Sequence, residues 1–282
     1  MINFNGTVTN NTTTIAYNNR GFAYGDALFE TLRVVHGKIL FLEAHYFRLM
    51  ASMRILRMEI PMNFTMEFFG EEIMKAITAN KLSETSARVK VTVYRGEGGL
   101  YLPTSKTVGY VVSATPLASD FYLLDDSTPY EVDLFKDYYV SPDLLSTLKT
   151  TSKAINVIGS IYANENDLDN CLLINTDKHV VEALNGNLFL VKGNTIKTPP
   201  ISDGCLNGVL RKQLLEVIKL LPDYTLTEAS VSPFELQRMD EMFITNVITG
   251  IQPITKYRKK TYTVNVAKQL LQKLNVKVRL AN

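Results

Sequence analysis

The sequence predicts an α+β fold, and three observations indicate it. Apolar residues recur at helical spacing over residues 206–221, the strongest amphipathic segment of the chain. Short β-type runs alternate with turn residues in the second half, as at residues 171–175 and 188–192. The first third mixes both patterns, because a hairpin signal at residues 36–37 is followed by helical spacing over residues 42–56. The class is therefore α+β, with a strand-rich second half.

A stretch without hydrophobic periodicity separates two parts of the chain. Residues 116–129 collect Pro, Ser and Asp, a composition that is typical of a connection between domains. We expect a small α/β domain over residues 1–115, an interdomain connection over residues 116–129 and a larger domain over residues 130–282. A length of 282 residues favours two domains without requiring them.

The remaining elements follow from the same periodicities. Amphipathic spacing predicts helices over residues 63–80, 154–166 and 264–274. β-type composition between turn residues predicts strands over residues 30–35, 38–42, 87–94, 107–114, 130–135, 179–182, 224–229 and 242–245. A Gly-rich loop at residues 96–99 joins the third and fourth of these strands.

Charge and composition argue against several function classes. The net charge is +2, from 30 Lys and Arg against 28 Asp and Glu, and no basic run favours nucleic acid or a membrane surface. The apolar stretches are too short to span a bilayer, and the N-terminus lacks the pattern of a signal peptide. Two cysteines and three scattered histidines indicate reduced thiols and no metal site. We expect a cytoplasmic protein with neither a nucleic-acid nor a membrane partner.

Three positions could carry chemistry. Gly208 lies at the start of the predicted helix, where free N–H groups and the helix dipole suit an anion, although local sequence alone favours a packing role for this glycine. Arg48 has the planar fork that suits phosphate, but an arginine in a helix is more often a solvated charge. Glu182 ends an apolar strand, so it either has a cationic partner or faces solvent at a strand edge.

Five segments, taken in order along the chain, resemble one known family. They are residues 19–31 (NRGFAYGDALFET), 48–52 (RLMAS), 181–189 (VEALNGNLF), 198–211 (from TPP to GVLR) and 240–246 (DEMFITN). Together they are similar to the class IV aminotransferases, the fold-type IV enzymes that depend on pyridoxal 5′-phosphate (PLP). The resemblance implies a small N-terminal α/β domain, a larger strand-rich C-terminal domain of pseudo-barrel form, and a homodimer.

The resemblance also implies roles for single residues. Lys149 would form the Schiff base with PLP and later take the substrate proton as a base. Glu182 would keep the pyridine nitrogen protonated, so that the ring acts as an electron sink. The residues implied around the phosphate are Arg48, Gly208, Val209, Leu210, Asn246 and Val247. Tyr24 and Phe29 would line the substrate side.

Two lysines fit the local motif of the family, a Lys with a polar residue three positions later. Lys149 is followed by Ser152 and Lys153 by Asn156, so the motif alone does not choose between them. Counted back from Glu182, the segment is similar to the family without gaps and places the cofactor lysine at Lys149. Lys153 would require a deletion in the intervening helix, and we expect it to be a solvated charge.

Several positions favour a lyase of the family over a transaminase. Leu210 stands where the transaminases usually carry Thr, and residues 246–249 lack the Ser/Thr pair that they often have there. Residues 87–99 are similar to the lyase pattern of a Lys followed by Arg-Gly-x-Gly-Gly. The Arg-x-His carboxylate trap of the D-amino-acid aminotransferases is absent, since Leu100 and Leu102 occupy that region.

We therefore expect a 4-amino-4-deoxychorismate lyase, which forms 4-aminobenzoate and pyruvate. Arg88, Lys90 or Arg95 would meet the substrate carboxylates, and spacing does not decide which of them. The first alternative is an amino-acid aminotransferase of branched-chain type. The second is a non-catalytic PLP-binding relative, since a fold does not imply a function. The complete set of expected cofactor residues argues against this second alternative.

Overall fold

The chain divides into two units, each built from two stretches of sequence. The computed structural model describes residues 1–10, 15–125 and 127–280. The first unit comprises Met1–Asp120 and Lys149–Ser152, and the second comprises Phe121–Leu148 and Lys153–Asn282.

This division differs in one respect from the domains expected from the sequence. The first unit ends at Asp120, within the expected connection over residues 116–129, of which residue 126 lies outside the described residues. The segment Lys149–Ser152 was expected in the second domain, yet it belongs to the first unit. The reason is backbone pairing, because Thr150 lies opposite Leu28 in a strand of the first unit.

The first unit is a six-stranded antiparallel sheet with two long helices. Its strands are β1 (Ile2–Phe4), β2 (Thr7–Thr9), β3 (Ala27–Val35), β4 (Lys38–Ile39), β5 (Ser86–Arg95) and β6 (Val108–Pro116). Its helices are α1 (Arg20–Tyr24), α2 (Leu42–Ile55) and α3 (Met66–Ala79). The strand order is β2-β1-β6-β5-β3-β4, and every neighbouring pair is antiparallel.

Strand periodicity decides which side chains of this sheet enter the core. Helix α2 packs on β3, and α3 packs on β1 and β6. On β5, Val89 and Val91 are buried, while Arg88 and Lys90 alternate with them and are exposed. Thr65 starts α3, because its hydroxyl accepts a hydrogen bond from the Phe68 amide at 3.2 Å.

The second unit is a ten-stranded mixed sheet with three helices. Its strands are β7 (Glu131–Val140), β8 (Asn170–Asn175), β9 (Val180–Ala183), β10 (Gly186–Lys192), β11 (Thr195–Thr198), β12 (Thr225–Glu228), β13 (Glu241–Asn246), β14 (Gly250–Ile254), β15 (Lys256–Tyr257) and β16 (Lys260–Thr261). Its helices are α4 (Ala154–Glu165), α5 (Val209–Lys219) and α6 (Asn265–Leu280). The main strand order is β12-β11-β10-β9-β8-β7-β15-β16, and β13 pairs with both β10 and β14.

Both faces of the central strands of this sheet are buried. On β8, Leu172 and Ile174 join a large apolar cluster that also takes side chains from β7, β9, β10 and β13. Cys171 and Leu173 point the other way and pack in a second cluster with Phe135. Burial on both faces explains why this strand is apolar at successive positions rather than at alternate ones.

The longer predicted elements correspond to observed ones, with shifted ends. The helix expected over residues 206–221 begins at Val209, because Gly208 has the extended conformation of an N-cap residue (φ −70°, ψ 133°). The short elements α1, β1, β2, β11, β14, β15 and β16 were not predicted, since runs this short show no clear periodicity. Among the described residues, no helix combines the length and apolar character needed to cross a membrane.

Candidate active site

Lys149 lies on a short extended segment that adds to β3. The Phe29 amide donates a hydrogen bond to the Lys149 carbonyl oxygen at 2.8 Å. Two residues further on, the Thr151 amide donates to the Ala27 carbonyl oxygen at 3.0 Å. The Lys149 Nζ atom lies 4.4 Å from the centre of the Phe29 ring. The backbone of Lys149 is thus fixed by the β3 pairing, and its amine rests on an aromatic face.

Phe29 and Lys90 lie on the sheet face opposite α2 and α3. Strands β3 and β5 pair in a register that brings the two side chains to one face. The Lys90 Nζ atom lies 5.0 Å from the centre of the Phe29 ring. Arg88 follows on the same face, two positions along β5, and is exposed. The structure therefore brings together three of the residues predicted from the sequence, Lys149, Phe29 and Lys90.

Arg95 lies on the other face of β5 and is buried, only 6% exposed. Its Nε donates to Asp26 at 2.7 Å, and its two terminal nitrogens donate to the carbonyl oxygens of Leu56 and Arg57 at 2.6 and 3.0 Å. These bonds hold β5 against the end of α2. Alternation along the strand thus separates Arg95 from Arg88 and Lys90, and we assign Arg95 a structural role in place of the expected contact with substrate.

Asp26 links Arg95 to the Gly-rich loop. The Asp26 carboxylate also accepts a hydrogen bond from Arg20 Nε at 3.0 Å. Burial raises the pKa of Asp26, but the hydrogen bonds from the two arginines outweigh burial, so the pKa is lowered overall. Arg20 in turn donates to the Leu100 carbonyl oxygen at 2.6 Å, and its guanidinium lies 4.8 Å from the Tyr24 ring centre. Tyr24, expected on the substrate side, is 41% exposed at the end of α1.

Glu30 is a buried carboxylate to which the sequence alone assigns no role. Its side chain accepts from Arg48 through both oxygens, with Nε to Oε1 at 2.8 Å, and Oε2 lies 2.7 Å from His45 Nδ1. Burial raises the pKa of Glu30, but the charge of Arg48 and the hydrogen bonds from Arg48 and His45 outweigh it and lower the pKa to about 2. Glu30 is therefore ionised at neutral pH.

His45 completes this buried group. Burial lowers the pKa of His45 more than Glu30 raises it, so the imidazole is neutral at pH 7. A carboxylate only accepts hydrogen bonds, so Nδ1 carries the proton and donates to Glu30. His45 Nε2 is buried and has no hydrogen-bond partner among the described residues.

Arg48, expected at the cofactor phosphate, is held by Glu30 in this structure. The carboxylate takes two of the five N–H donors that a guanidinium has. The sequence contained a signal for this pair, because Glu30 is a charged residue in a strand that is otherwise apolar except at Thr31 and Arg33. His45 and Arg48 are three residues apart on α2, so one helix face presents both to Glu30.

Glu182, in β9, is the carboxylate expected at the pyridine nitrogen. Its Oε2 accepts a hydrogen bond from the Leu206 amide at 3.0 Å, which holds the side chain in place. Lys153, the residue before α4, is half-buried rather than the solvated charge expected from the sequence. Burial lowers the pKa of Lys153 more than the Glu182 charge raises it. Lys153 and Glu182 are therefore electrostatic neighbours.

The start of α5 has the features of an anion site. The first amides of a helix, here those of Val209 and Leu210, have no acceptor within the helix. A side chain at Gly208 would meet Asn187, because its Cβ would lie 2.0 Å from Asn187 Oδ1. Thr245 pairs with Asn187 across β10 and β13, and its buried hydroxyl has no hydrogen-bond partner in the described part of the chain.

Asn246 and Val247, also expected near the phosphate, form the turn between β13 and β14. Asn246 Oδ1 accepts from the amides of Ile248 and Thr249 at 3.0 and 2.9 Å. The Val247 carbonyl oxygen accepts from the Tyr122 hydroxyl at 3.0 Å. These polar atoms stabilise the turn. On β13, Thr245 is a further candidate for contact with a phosphate.

Comparison with known proteins identifies the family. The model of the family described as amino-transferase class IV matches residues 27–257. The chain belongs to this family. Class IV aminotransferases depend on PLP, so the chain is a PLP-dependent enzyme of fold type IV, and the non-catalytic alternative is set aside.

Several class IV relatives resemble this chain over most of its length. A protein of Methanocaldococcus jannaschii, provisionally named a branched-chain-amino-acid aminotransferase, is 26% identical to this chain. The alignment covers 92% of this chain and 88% of the relative. The aminodeoxychorismate lyase of Vibrio harveyi is 24% identical, over 86% of this chain and 87% of its own. The crystal structure of a branched-chain aminotransferase from the archaeon Thermoproteus uzoniensis, with norvaline, has a TM-score of 0.87 at 20% identity and covers 98% of this chain and 94% of its own.

The residues present fit PLP. The cofactor brings a phosphate, a pyridine nitrogen and an aldehyde, which need an anion site, a carboxylate and a lysine. In the second unit, the α5 amides suit the phosphate and Glu182 suits the nitrogen. The Thr245 hydroxyl is buried on the residue that pairs with Asn187, and it has no hydrogen-bond partner in the described part of the chain, so a ligand oxygen would satisfy it. Lys149, in the first unit, has the primary amine that the aldehyde would need.

Proposed function

We propose that this class IV enzyme is a 4-amino-4-deoxychorismate lyase, which converts its substrate to 4-aminobenzoate and pyruvate. The observation that carries the proposal is the position of Lys90, whose amine lies on the same Phe29 ring as the amine of Lys149. A cation there suits a substrate that carries two carboxylates. Arg88, on the same face of β5, is available for the second carboxylate.

The proposed roles follow from the chemistry of each side chain. The bound cofactor would supply an electron sink for the carbon that bears the substrate amino group. Lys149 would hold the cofactor and, when its amine is free, take the proton from that carbon. Glu182 would keep the pyridine nitrogen protonated. Aromatisation breaks the bond to the enolpyruvyl oxygen, and the leaving group gains a proton to become pyruvate.

One experiment tests this assignment. The purified holoenzyme is given 4-amino-4-deoxychorismate, and pyruvate and 4-aminobenzoate are measured together. Equal amounts of the two products support the lyase. Lys90→Met should raise KM for this substrate roughly tenfold or more, because a charge-assisted contact is lost. Lys106→Met changes an exposed lysine elsewhere in the first unit and is the matched control.

An amino-acid aminotransferase of branched-chain type is the second candidate. It is favoured by the Methanocaldococcus jannaschii relative, which shares 26% identity with this chain. Addition of L-leucine or L-glutamate to the holoenzyme separates the two functions. Conversion of the cofactor to its amine form, with release of a keto acid and no pyruvate from aminodeoxychorismate, would support the aminotransferase instead.

We also infer that the protein works as a cytoplasmic homodimer. The dimer is supported by the resemblance to the family alone, and the location by the two unpaired, buried cysteines, Cys171 and Cys205. Light scattering coupled to size-exclusion chromatography measures the assembly. A mass close to 31.7 kDa at working concentration would exclude the dimer, because this is the mass of one chain.

A further inference from the structure

A groove in the second unit lies outside the residues considered so far. Its volume is about 930 Å³, and small-molecule sites usually measure roughly 300–1,000 Å³. Its floor is apolar and consists of Leu134, Ile174 and Tyr257, which belong to the large core cluster. Among the described residues that line it, none belongs to α5, and neither Glu182 nor Lys153 takes part. The groove is therefore distinct from the residues assigned to the cofactor.

The rim of this groove carries an excess of positive charge. Its cations are Lys136, Lys178, Arg238 and Arg258. Asp177 is the single carboxylate among its described lining residues. Arg258 Nε lies 3.4 Å from Asp133. Within the described parts of the chain Lys136 and Arg238 form no direct ion pair, although the charge of Arg238 helps to lower the pKa of Glu235. We name this apolar floor with its four cations the basic groove.

Two aromatic side chains stand at the rim of the basic groove. Phe234 is 83% exposed, so its ring is available for contact with a ligand. Tyr139 is 38% exposed, and the Lys178 amine lies 3.5 Å from its ring centre. Exposed rings beside exposed cations form a surface that is both apolar and positively charged.

These features select one class of ligand. A neutral aromatic molecule would cover the Phe234 ring but would gain nothing from the charges of Lys136 and Arg238. An aliphatic polyanion would meet the cations but would leave the exposed rings of Phe234 and Tyr139 in water. A ligand that satisfies both parts has a ring and at least one negative charge.

We propose that the basic groove binds a small aromatic anion, a carboxylate or sulfonate, with its ring on Leu134 and Phe234 and its charge against Lys136 and Arg238. The cationic side chains and the apolar floor would then contact the same bound ligand. The proposal concerns a site separate from the cofactor residues and does not rest on the lyase assignment.

The test uses the holoenzyme, freed of unbound PLP, and the fluorescent probe 1-anilino-8-naphthalenesulfonate. The wild-type protein should bind one probe molecule per chain, and benzoate should displace it. The double variant Lys136→Met/Arg238→Met should bind the probe roughly tenfold or more weakly, since two charge-assisted contacts are lost. Lys273→Met, an exposed lysine of α6, is the matched control and should bind as the wild type does.

A second variant tests the apolar half of the groove. Phe234→Ala removes an exposed ring with all four cations intact, so folding should be unchanged while the probe binds severalfold more weakly. If the double variant fails to fold, probe binding is measured with the single variants Arg238→Met and Phe234→Ala instead. Equal binding by wild type and folded variants, or equal binding of the neutral 1-anilinonaphthalene, would overturn the proposal. So would displacement by polyglutamate but not by benzoate, which would indicate a docking site for an acidic protein.

Discussion

The Glu30 carboxylate holds the Arg48 guanidinium by two parallel hydrogen bonds, and Glu30 is 1% exposed. Such a pair fixes the plane of the guanidinium before any ligand arrives. The neutral imidazole of His45 adds a third hydrogen bond to the same carboxylate. The orientation of the arginine expected at the phosphate is thus set by two side chains of its own unit.

Removal of the negative charge from this pair should destabilise the protein. We expect Glu30→Gln to lower the free energy of unfolding by roughly 3 kcal/mol, because the mostly buried Arg48 guanidinium loses the negative charge of the buried Glu30 carboxylate. Urea unfolding followed by circular dichroism measures the loss. Glu43→Gln, at an exposed position of α2, is the control and should stay within about 0.5 kcal/mol of the wild type. An equally small change for Glu30→Gln would show that the pair contributes little.

The same pair should make stability depend on acid pH. The pKa of Glu30 falls from an ordinary 4.5 to about 2 on folding. A carboxyl group with a lowered pKa contributes stability above its unfolded value, and this contribution is lost as the pH falls from about 4.5 towards 2. We expect the loss to reach roughly 3 kcal/mol at full protonation. Unfolding curves at a series of acid pH values should show a shallower decline for Glu30→Gln than for the wild type.

The two lysines should respond differently to replacement. Lys149→Ala should abolish the visible absorbance of covalently bound PLP, because it removes the amine that the cofactor binds. Lys153→Met should keep that absorbance, since its amine is assigned only an electrostatic contact with Glu182. Absorbance spectra after dialysis against excess PLP distinguish the two variants. Covalent PLP in Lys149→Ala and none in Lys153→Met would reverse the assignment.

Arg95 and Arg88 should separate stability from substrate binding. Arg95→Met removes three hydrogen bonds of a buried guanidinium and should cost roughly 3 kcal/mol of unfolding free energy. Arg88→Met changes an exposed side chain and should leave stability within about 0.5 kcal/mol. For Arg88→Met the expected effect is a higher KM instead. If the Arg95→Met protein is as stable as the wild type but has a raised KM, Arg95 contacts the substrate and the structural role assigned to it is wrong.

Gly208 should not tolerate a larger residue. Its φ of −70° is open to alanine, so the expected strain comes from the contact with Asn187 and not from the backbone. Gly208→Ala should cost roughly 1–3 kcal/mol of unfolding free energy and should also weaken PLP binding. In the double variant with Asn187→Ala, the stability losses should combine to less than their sum, because the clash is gone. Additive losses in denaturant unfolding would count against this contact.

The sequence predicted the elements in which a helical or strand-like pattern of side chains continues over many residues. The helix α2, the alternation along β5 and the buried run of β8 follow from side-chain spacing alone. The residues expected to carry the chemistry were found partly through family resemblance, because Lys149 and Glu182 have no distinctive local pattern.

What spacing could not predict depends on contacts between distant parts of the chain. Glu30 and Arg48 are far apart in sequence, and their pairing depends on how α2 crosses β3. The electrostatic interaction of Lys153 with Glu182 likewise joins residues that are distant in the sequence. Arg95, by contrast, could have been separated from Arg88 and Lys90 by the alternation along β5 alone, since odd and even positions of one strand lie on opposite faces.

The segment Lys149–Ser152 has a consequence for how the protein can be made. It completes the pairing of β3, yet it follows Phe121–Leu148 of the second unit in the chain. During synthesis, residues 1–120 leave the ribosome without this segment, so the first unit gains its last backbone partner only after residue 152 has emerged. A fragment that stops at Asp120 would therefore lack Lys149. The Phe29 amide would lose its bond to the Lys149 carbonyl oxygen, and the Ala27 carbonyl oxygen would lose its bond from the Thr151 amide.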